Sequence, residues 1–126
     1  LQGRDPKLPR AVYAYLSNPL LQENLSFIPL ATCFDYAADP VDYHPESSWR
    51  KIVCELFGAE SLPPWRALRR FCEEHQRAKK TKRTLRCTRV ERQKLKIADD
   101  YIHEHRSTKW AREIRPWREL MRKKLK

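Results

Sequence analysis

Asp99 and Asp100 are the first residues whose types suggest chemistry, since paired carboxylates can share acid and base work. They fall inside a helical stripe, where consecutive residues point about 100° apart. Two such carboxylates do not converge on one substrate atom, and with basic side chains around them they read as exposed helix charges. Asp99, His103 and His105 come nearest to a metal-ligand set. Asp99 and His103 are four apart and share a face, but His105 does not join them, so no metal site and no cofactor is expected. His44 and His75 are isolated, and His75 falls on an apolar stripe, where a packing residue belongs. Cys33, Cys54, Cys72 and Cys87 lie 21, 18 and 15 positions apart without a C-x-x-C pair, a spacing that does not suit zinc ribbons or fingers. Each sits in or beside an apolar stretch and reads as a buried free thiol, which favours a reducing compartment and leans the localisation towards the cytoplasm. Gly-rich phosphate loops and a G-x-S-x-G elbow are absent from the sequence.

Asn18 differs from these. It follows the short apolar run Ala11-Val12-Tyr13-Ala14-Tyr15-Leu16 and precedes Pro19 and a helical pattern. The run predicts a buried strand, and residues just beyond the carboxyl end of a strand line the ligand site in α/β architectures. An Asn amide both donates and accepts, as a sugar hydroxyl does. The same spacing also suits a turn or N-cap asparagine.

The elements that position these residues are almost all helical. Residues 1–10, with Pro6 and Pro9 among charges, read as a loop. From Pro19 to about Ala38 the pattern is helical, with Leu21, Leu25, Ile28, Thr32 and Asp35 on one side and Pro29 as a kink. A second helix runs from near Glu46 to Phe57, its stripe being Trp49, Ile52, Val53, Leu56 and Phe57, with Gly58 placed for a left-handed C-cap. Ser61-Leu62-Pro63-Pro64 opens the next helix, carrying Trp65, Leu68, Cys72 and His75. Residues 76–87 read as a loop or frayed connection. Thr88-Arg89-Val90-Glu91 fits a capping box before a helix through Ile97, Tyr101 and Ile102. Ser107-Thr108 restarts the chain into Trp110, Ile114, Trp117, Met121 and Leu125, with Pro116 as a kink.

Composition agrees with a helical domain. The chain has 126 residues, 40% hydrophobic and 34% charged, with only Gly3 and Gly58 as glycines, too few for a turn-rich β-sandwich. No apolar run approaches the roughly 20 residues of a membrane helix. The opening Leu1-Gln2-Gly3-Arg4 shows neither an initiator Met nor a signal-peptide pattern, as expected of a piece of a longer protein. Net charge is +11, divided unevenly: residues 1–62 carry 5 basic and 8 acidic side chains, residues 63–126 carry 22 and 8. A basic half of this kind serves either as a solvated helical surface or as a weak polyanion-binding face.

Several segments resemble glycoside hydrolase family 84, which comprises O-GlcNAcases and bacterial hyaluronidase-like β-N-acetylglucosaminidases. They are Tyr15-Leu16-Ser17-Asn18-Pro19-Leu20-Leu21-Gln22, Ser26-Phe27-Ile28-Pro29-Leu30-Ala31-Thr32, Asp35-Tyr36, and Tyr43-His44-Pro45-Glu46-Ser47-Ser48-Trp49. The resemblance covers about residues 12–58. It implies a mainly α chain: the last strand–helix unit of a (β/α)₈ catalytic barrel over 1–40, then a post-catalytic helical bundle over 41–126. It further implies that Asn18 hydrogen-bonds hydroxyls of N-acetylglucosamine, and that the substrate is a glycan or glycoprotein ending in that sugar, hydrolysed with its own acetamido group as nucleophile. The family's catalytic pair is two adjacent aspartates after an earlier barrel strand. No segment here matches that motif, so no catalytic residue is expected in this chain, and the barrel portion holding the pair becomes a required partner. The competing expectation is a basic helical module that binds nucleic acid or another polyanion, for which an apolar strand at the amino end has no use.

Overall fold

The computed structural model describes residues 3–11, 22–82 and 87–125, and these are mainly helical, with no strand among them. The strand expected over Ala11–Leu16 lies outside the described residues except for Ala11, which instead ends helix α1, and Asn18 lies outside them as well. The helices are α1 (Leu8–Ala11), α2 (Glu23–Ala38), α3 (Pro45–Phe57), α4 (Leu62–Lys80), α5 (Arg89–Glu104), α6 (Lys109–Glu113) and α7 (Arg115–Leu125), with a 3₁₀ turn over Ala59–Ser61. Packing divides the chain into two compact units, Leu1–Ala59 and Glu60–Lys126. The expected division at 40/41 marks the edge of a barrel; the division at 59/60 marks the edge of a packed unit, a different quantity.

In the first unit α2 packs on α3. The amino-terminal segment, expected to be a loop, makes one helical turn at α1. Asp5 starts it, accepting from the Lys7 backbone N–H on its carboxylate (2.8 Å) and from the Leu8 N–H on its carbonyl (3.0 Å). α2 carries Pro29 inside it, as expected; of the expected stripe Thr32 is buried while Leu25, Ile28 and Asp35 are half-buried and Leu21 lies outside the described residues, and the other buried positions are Ser26 and Tyr36. Apolar residues surround this helix, so its amphipathic face is poorly defined, and Phe27 and Phe34 stand 58% and 72% exposed. α3 begins with Pro45 in its first turn, where the missing N–H costs nothing, and buries Trp49, Ile52 and Val53. Leu56, expected on that stripe, is exposed. Gly58 ends α3 at φ 86°, ψ 155°, a backbone region essentially reserved for glycine, and not the left-handed cap expected.

In the second unit α4 packs on α5, α5 on α7 and α6 on α7. Trp65, Leu68 and Phe71 of α4 are buried, as are Leu95, Ala98 and Ile102 of α5, with Ala111, Ile114 and Met121 beyond. The expected loop over 76–87 is a helix as far as Lys80. Arg69 and Arg70 pair with Glu73 and Glu74 one turn on (3.0 and 2.8 Å), and Arg77, Lys79 and Lys80 complement the negative end of the helix dipole. The Thr88–Glu91 capping box forms as expected, and its hydrogen bonds hold the Glu91 carboxyl below the usual carboxylate range. Ile97, expected on the inner stripe of α5, is exposed instead, because the buried line runs through Leu95, Ala98 and Ile102. The last stripe breaks at Ile114 into α6 and α7: Pro116 has no N–H to continue the ladder, and Thr108 caps the first piece, its hydroxyl accepting from the Ala111 N–H at 3.3 Å. His75 packs as expected, stacked on Phe71 and edge-on to Trp117, each centroid 5.9 Å away.

Met121 is fully buried, so Met121→Ala should destabilise the second unit by about 2–5 kcal/mol. The exposed Ile97→Ala should change stability by less than about 0.5 kcal/mol. Urea unfolding followed by Trp fluorescence compares the two; similar losses would place Met121 outside the core.

Candidate functional site

Asn18, the one site residue expected from sequence, lies in the stretch 12–21 outside the described residues. The structure describes the chain on either side of that stretch, and α2 is in contact with the earlier part. Before it, the Tyr36 hydroxyl, on a side chain 2% exposed, donates to the Asp5 carbonyl oxygen at 2.5 Å. After it, the buried Ser26 hydroxyl donates to the Gln22 carbonyl oxygen at 2.7 Å. Tyr36 thus ties the segment before the stretch to α2, while the Ser26 bond closes the first turn of α2 itself just after the stretch.

The same helix is locked to α3 by residues that share the Asp35-Tyr36 and Tyr43-to-Trp49 segments. Ser48 Oγ donates to Asp35 Oδ2 at 2.7 Å, and the Ser48 N–H bonds the His44 carbonyl oxygen at 2.9 Å. The Tyr36 and Tyr43 rings meet edge to face at 5.5 Å. The Tyr43 hydroxyl is enclosed near Thr32 and Ser48, whose own protons go to Pro29 O and Asp35. It makes no hydrogen bond of normal geometry among the described residues. Burial pushes the Tyr43 phenol above its ordinary pKa, against the smaller lowering influence of the Ser48 and Thr32 hydroxyls. Sequence reasoning saw these residues as a pattern and assigned them no role; a polar pair such as Asp35 and Ser48, thirteen positions apart, has no local signature.

An open depression of about 520 Å³ lies over this lock, lined by Asp35, Asp39, Asp42, Tyr43, His44 and Lys51 among others. Asp35 is engaged by Ser48, and Asp39 accepts the Asp42 N–H at 3.2 Å. Among the described residues no three His, Cys, Asp or Glu side chains come together as a metal site.

The other sequence candidates disperse. Asp99 is nearly buried in an ion pair with Arg118, Nε to Oδ1 at 2.5 Å, with Arg122 at 3.8 Å, while Asp100 is exposed. His103 is exposed, whereas His105 packs against Tyr101 and Trp110 and places Nδ1 2.9 Å from the Tyr101 carbonyl oxygen. The four cysteines are free and half-buried rather than buried; burial pushes the Cys72 thiol up to about 12. No helix among the described residues is long and apolar enough to cross a membrane.

Residues 1–73 match the family model for beta-N-acetylglucosaminidase, more than half of the chain. The chain belongs to that family. Its matched region is glycoside hydrolase-related, and it contains α1, the α2–α3 lock, the stretch with Asn18 and α4 as far as Glu73. No curated protein and no solved structure matches the chain.

Two outcomes follow from the lock. Tyr36→Phe keeps the ring but leaves the Asp5 carbonyl without its donor, a loss of about 1 kcal/mol. Limited trypsin cleavage after Lys7 and Arg10 should then quicken by roughly 5-fold, and an unchanged rate would show that the hydroxyl does not hold the segment. Because the folded state favours the neutral Tyr43 phenol, that stability is complete below the unfolded pKa of about 10 and is lost as pH rises through the higher folded value. Urea unfolding at pH 9 and pH 11 should show a larger alkaline loss for the wild type than for Tyr43→Phe; equal losses would rule the linkage out.

Proposed function

We propose that this chain is the closing part of a family 84 β-N-acetylglucosaminidase, and that Asn18 contributes hydrogen bonds to hydroxyls of the N-acetylglucosamine ring. The observation that carries the reading is the family match over residues 1–73, which spans Ser17-Asn18-Pro19 and Tyr43-x-Pro45-Glu46-x-x-Trp49 in the sequence. In this reading residues 1–40 are the last β/α unit of a catalytic barrel and residues 41–126 the helical bundle behind it. The parent reaction is retaining hydrolysis in which the substrate's acetamido group attacks the anomeric carbon, one of the exceptions to two-carboxylate hydrolysis. One aspartate would polarise the acetamide and a second would protonate the leaving oxygen, and both would come from barrel strands outside this chain. The substrate is a glycan or glycoprotein ending in β-linked N-acetylglucosamine.

Two features of the first unit support this. Tyr36 of α2 ties down the chain before the Asn18 stretch, and α2 begins directly after it, so a packed helix adjoins the segment that carries Asn18. α2 also exposes Phe27 and Phe34, seven positions apart and so on one side of the helix, and such an exposed aromatic pair suits a surface that a further packed element covers. A barrel neighbour would cover that face.

The purified chain should not hydrolyse an aryl N-acetylglucosaminide. General acid catalysis alone is typically worth about 10²–10⁴-fold, positioning adds more, and the one adjacent aspartate pair here diverges around α5, with Asp99 tied to Arg118. Turnover abolished by Asp99→Asn or Asp100→Asn would overturn the reading. In a chain with the complete barrel, Asn18→Ala should lower kcat/KM by roughly 5- to 150-fold, or about 1–3 kcal/mol, with the fold intact. Unchanged kinetics would leave Asn18 a turn residue.

A further inference from the structure

The second unit carries a feature that the glycosidase reading does not use. α5 and α7 pack side by side, and along their seam runs an open groove of about 990 Å³. Arg89, Arg92 and Lys96 line it from α5, and Arg122 and Lys123 line it from α7. All five side chains are exposed. Three carboxylates share the groove, Asp99, Asp100 and Glu119; Asp99 is held chiefly by Arg118 at 2.5 Å and lies 3.8 Å from Arg122, so Arg122 is shared while the other four cations face the groove. Asp100 and Glu119 lie further along α5 and α7 from the Arg89 and Lys123 ends, so the cations concentrate at one end. Lys124 adds to that end, since it acts on the Cys87 thiol together with Arg92. The amino terminus of α5 points its positive dipole the same way.

We infer that this groove binds double-stranded nucleic acid through its backbone phosphates. The rise of 1.5 Å per residue spreads Arg89, Arg92 and Lys96 over about 10 Å, and a duplex presents one charge per roughly 1.7 Å of its axis. Guanidinium groups, three of the five cations, grip phosphate through paired N–H donors. The lining decides between polyanions. Leu125 is its one apolar residue among those described, which leaves no pocket for the anchoring side chain that a peptide partner needs. No aromatic ring lines it: Trp65, Tyr101 and Trp110 stack among themselves, so unstacked bases of a single strand have no platform. Phosphate contacts carry no sequence information, so the binding is independent of sequence.

Fluorescence anisotropy of the full chain with a labelled duplex of about 24 base pairs tests this. The dissociation constant should be on the order of 10⁻⁶ M near 0.1 M salt, and log K should fall with log salt at a slope of about −4, as for four to five phosphates. The paired reversal Arg92→Glu with Lys96→Glu should weaken binding at least ~10-fold and reduce the slope by about 2. Lys109→Glu with Arg115→Glu changes the net charge equally at exposed sites outside the groove, and should leave most of the affinity in place. All four positions are exposed, so circular dichroism should show both variants folded. Equal weakening by the two pairs would show that only net charge attracts the duplex. Equal or tighter binding of a single strand or of polyglutamate, or no binding at 0.05 M salt, would also overturn the assignment.

Discussion

In the first unit the inward side of α2 carries hydroxyls. Ser26, Thr32 and Tyr36 are its buried residues, and a buried hydroxyl without a partner costs more than a good hydrogen bond returns. Each hydroxyl therefore settles where an acceptor waits: Gln22 O for Ser26, Pro29 O for Thr32 and Asp5 O for Tyr36. Hydrogen bonds are directional, so these contacts hold one register of α2 where an apolar stripe would tolerate several. The Tyr36 ring then meets Tyr43, and Asp35 on the next residue takes the Ser48 hydroxyl, which brings α3 into place. The amino-terminal segment, α2 and α3 are one arrangement because these polar groups have to be satisfied together.

The second unit is organised by the opposite logic. Its core is a set of apolar stripes from α4 to α7, with Ser61 its buried polar residue among those described and most charged groups outside. Charge decides details that the stripes do not. Arginine–glutamate pairs one turn apart carry α4 to Lys80, the capping box starts α5, and Asp99 is drawn to Arg118 across the α5–α7 seam. Arg122 also lies 3.8 Å from Asp99, while Arg89, Arg92, Lys96 and Lys123 line the same seam, and together they make the groove basic.

The two units divide the functional argument as well. The family match ends at residue 73, within α4, so the α5–α7 groove lies beyond it. In the readings proposed above, the matched region acts on sugar through Asn18 and the groove on phosphate. Neither set of side chains contains a convergent acid and base.

Much of the helical layout was legible in the sequence because it is local. The Ser61–Pro64 entry, the Thr88–Glu91 box, the Thr108 restart and the Pro116 break each depend on residues within one turn, where propensity and hydrogen bonding act directly. The stripe of α3 was readable to Val53, and that of α5 at Ile102, for the same reason: a 3.6-residue period reports one buried face. What the sequence left open was decided by tertiary neighbours. Periodicity points along α2 to Leu25, Ile28 and Asp35, yet the side that is buried is the one whose hydroxyls find acceptors. The outward turn of Ile97 and the length of α4 depended on where other helices and charges sit. The pairing of Asp99 with Arg118 joins residues nineteen apart, and that of Tyr36 with Asp5 joins residues thirty-one apart. At such separations sequence spacing carries no geometric information, and only the packed chain can bring donor to acceptor.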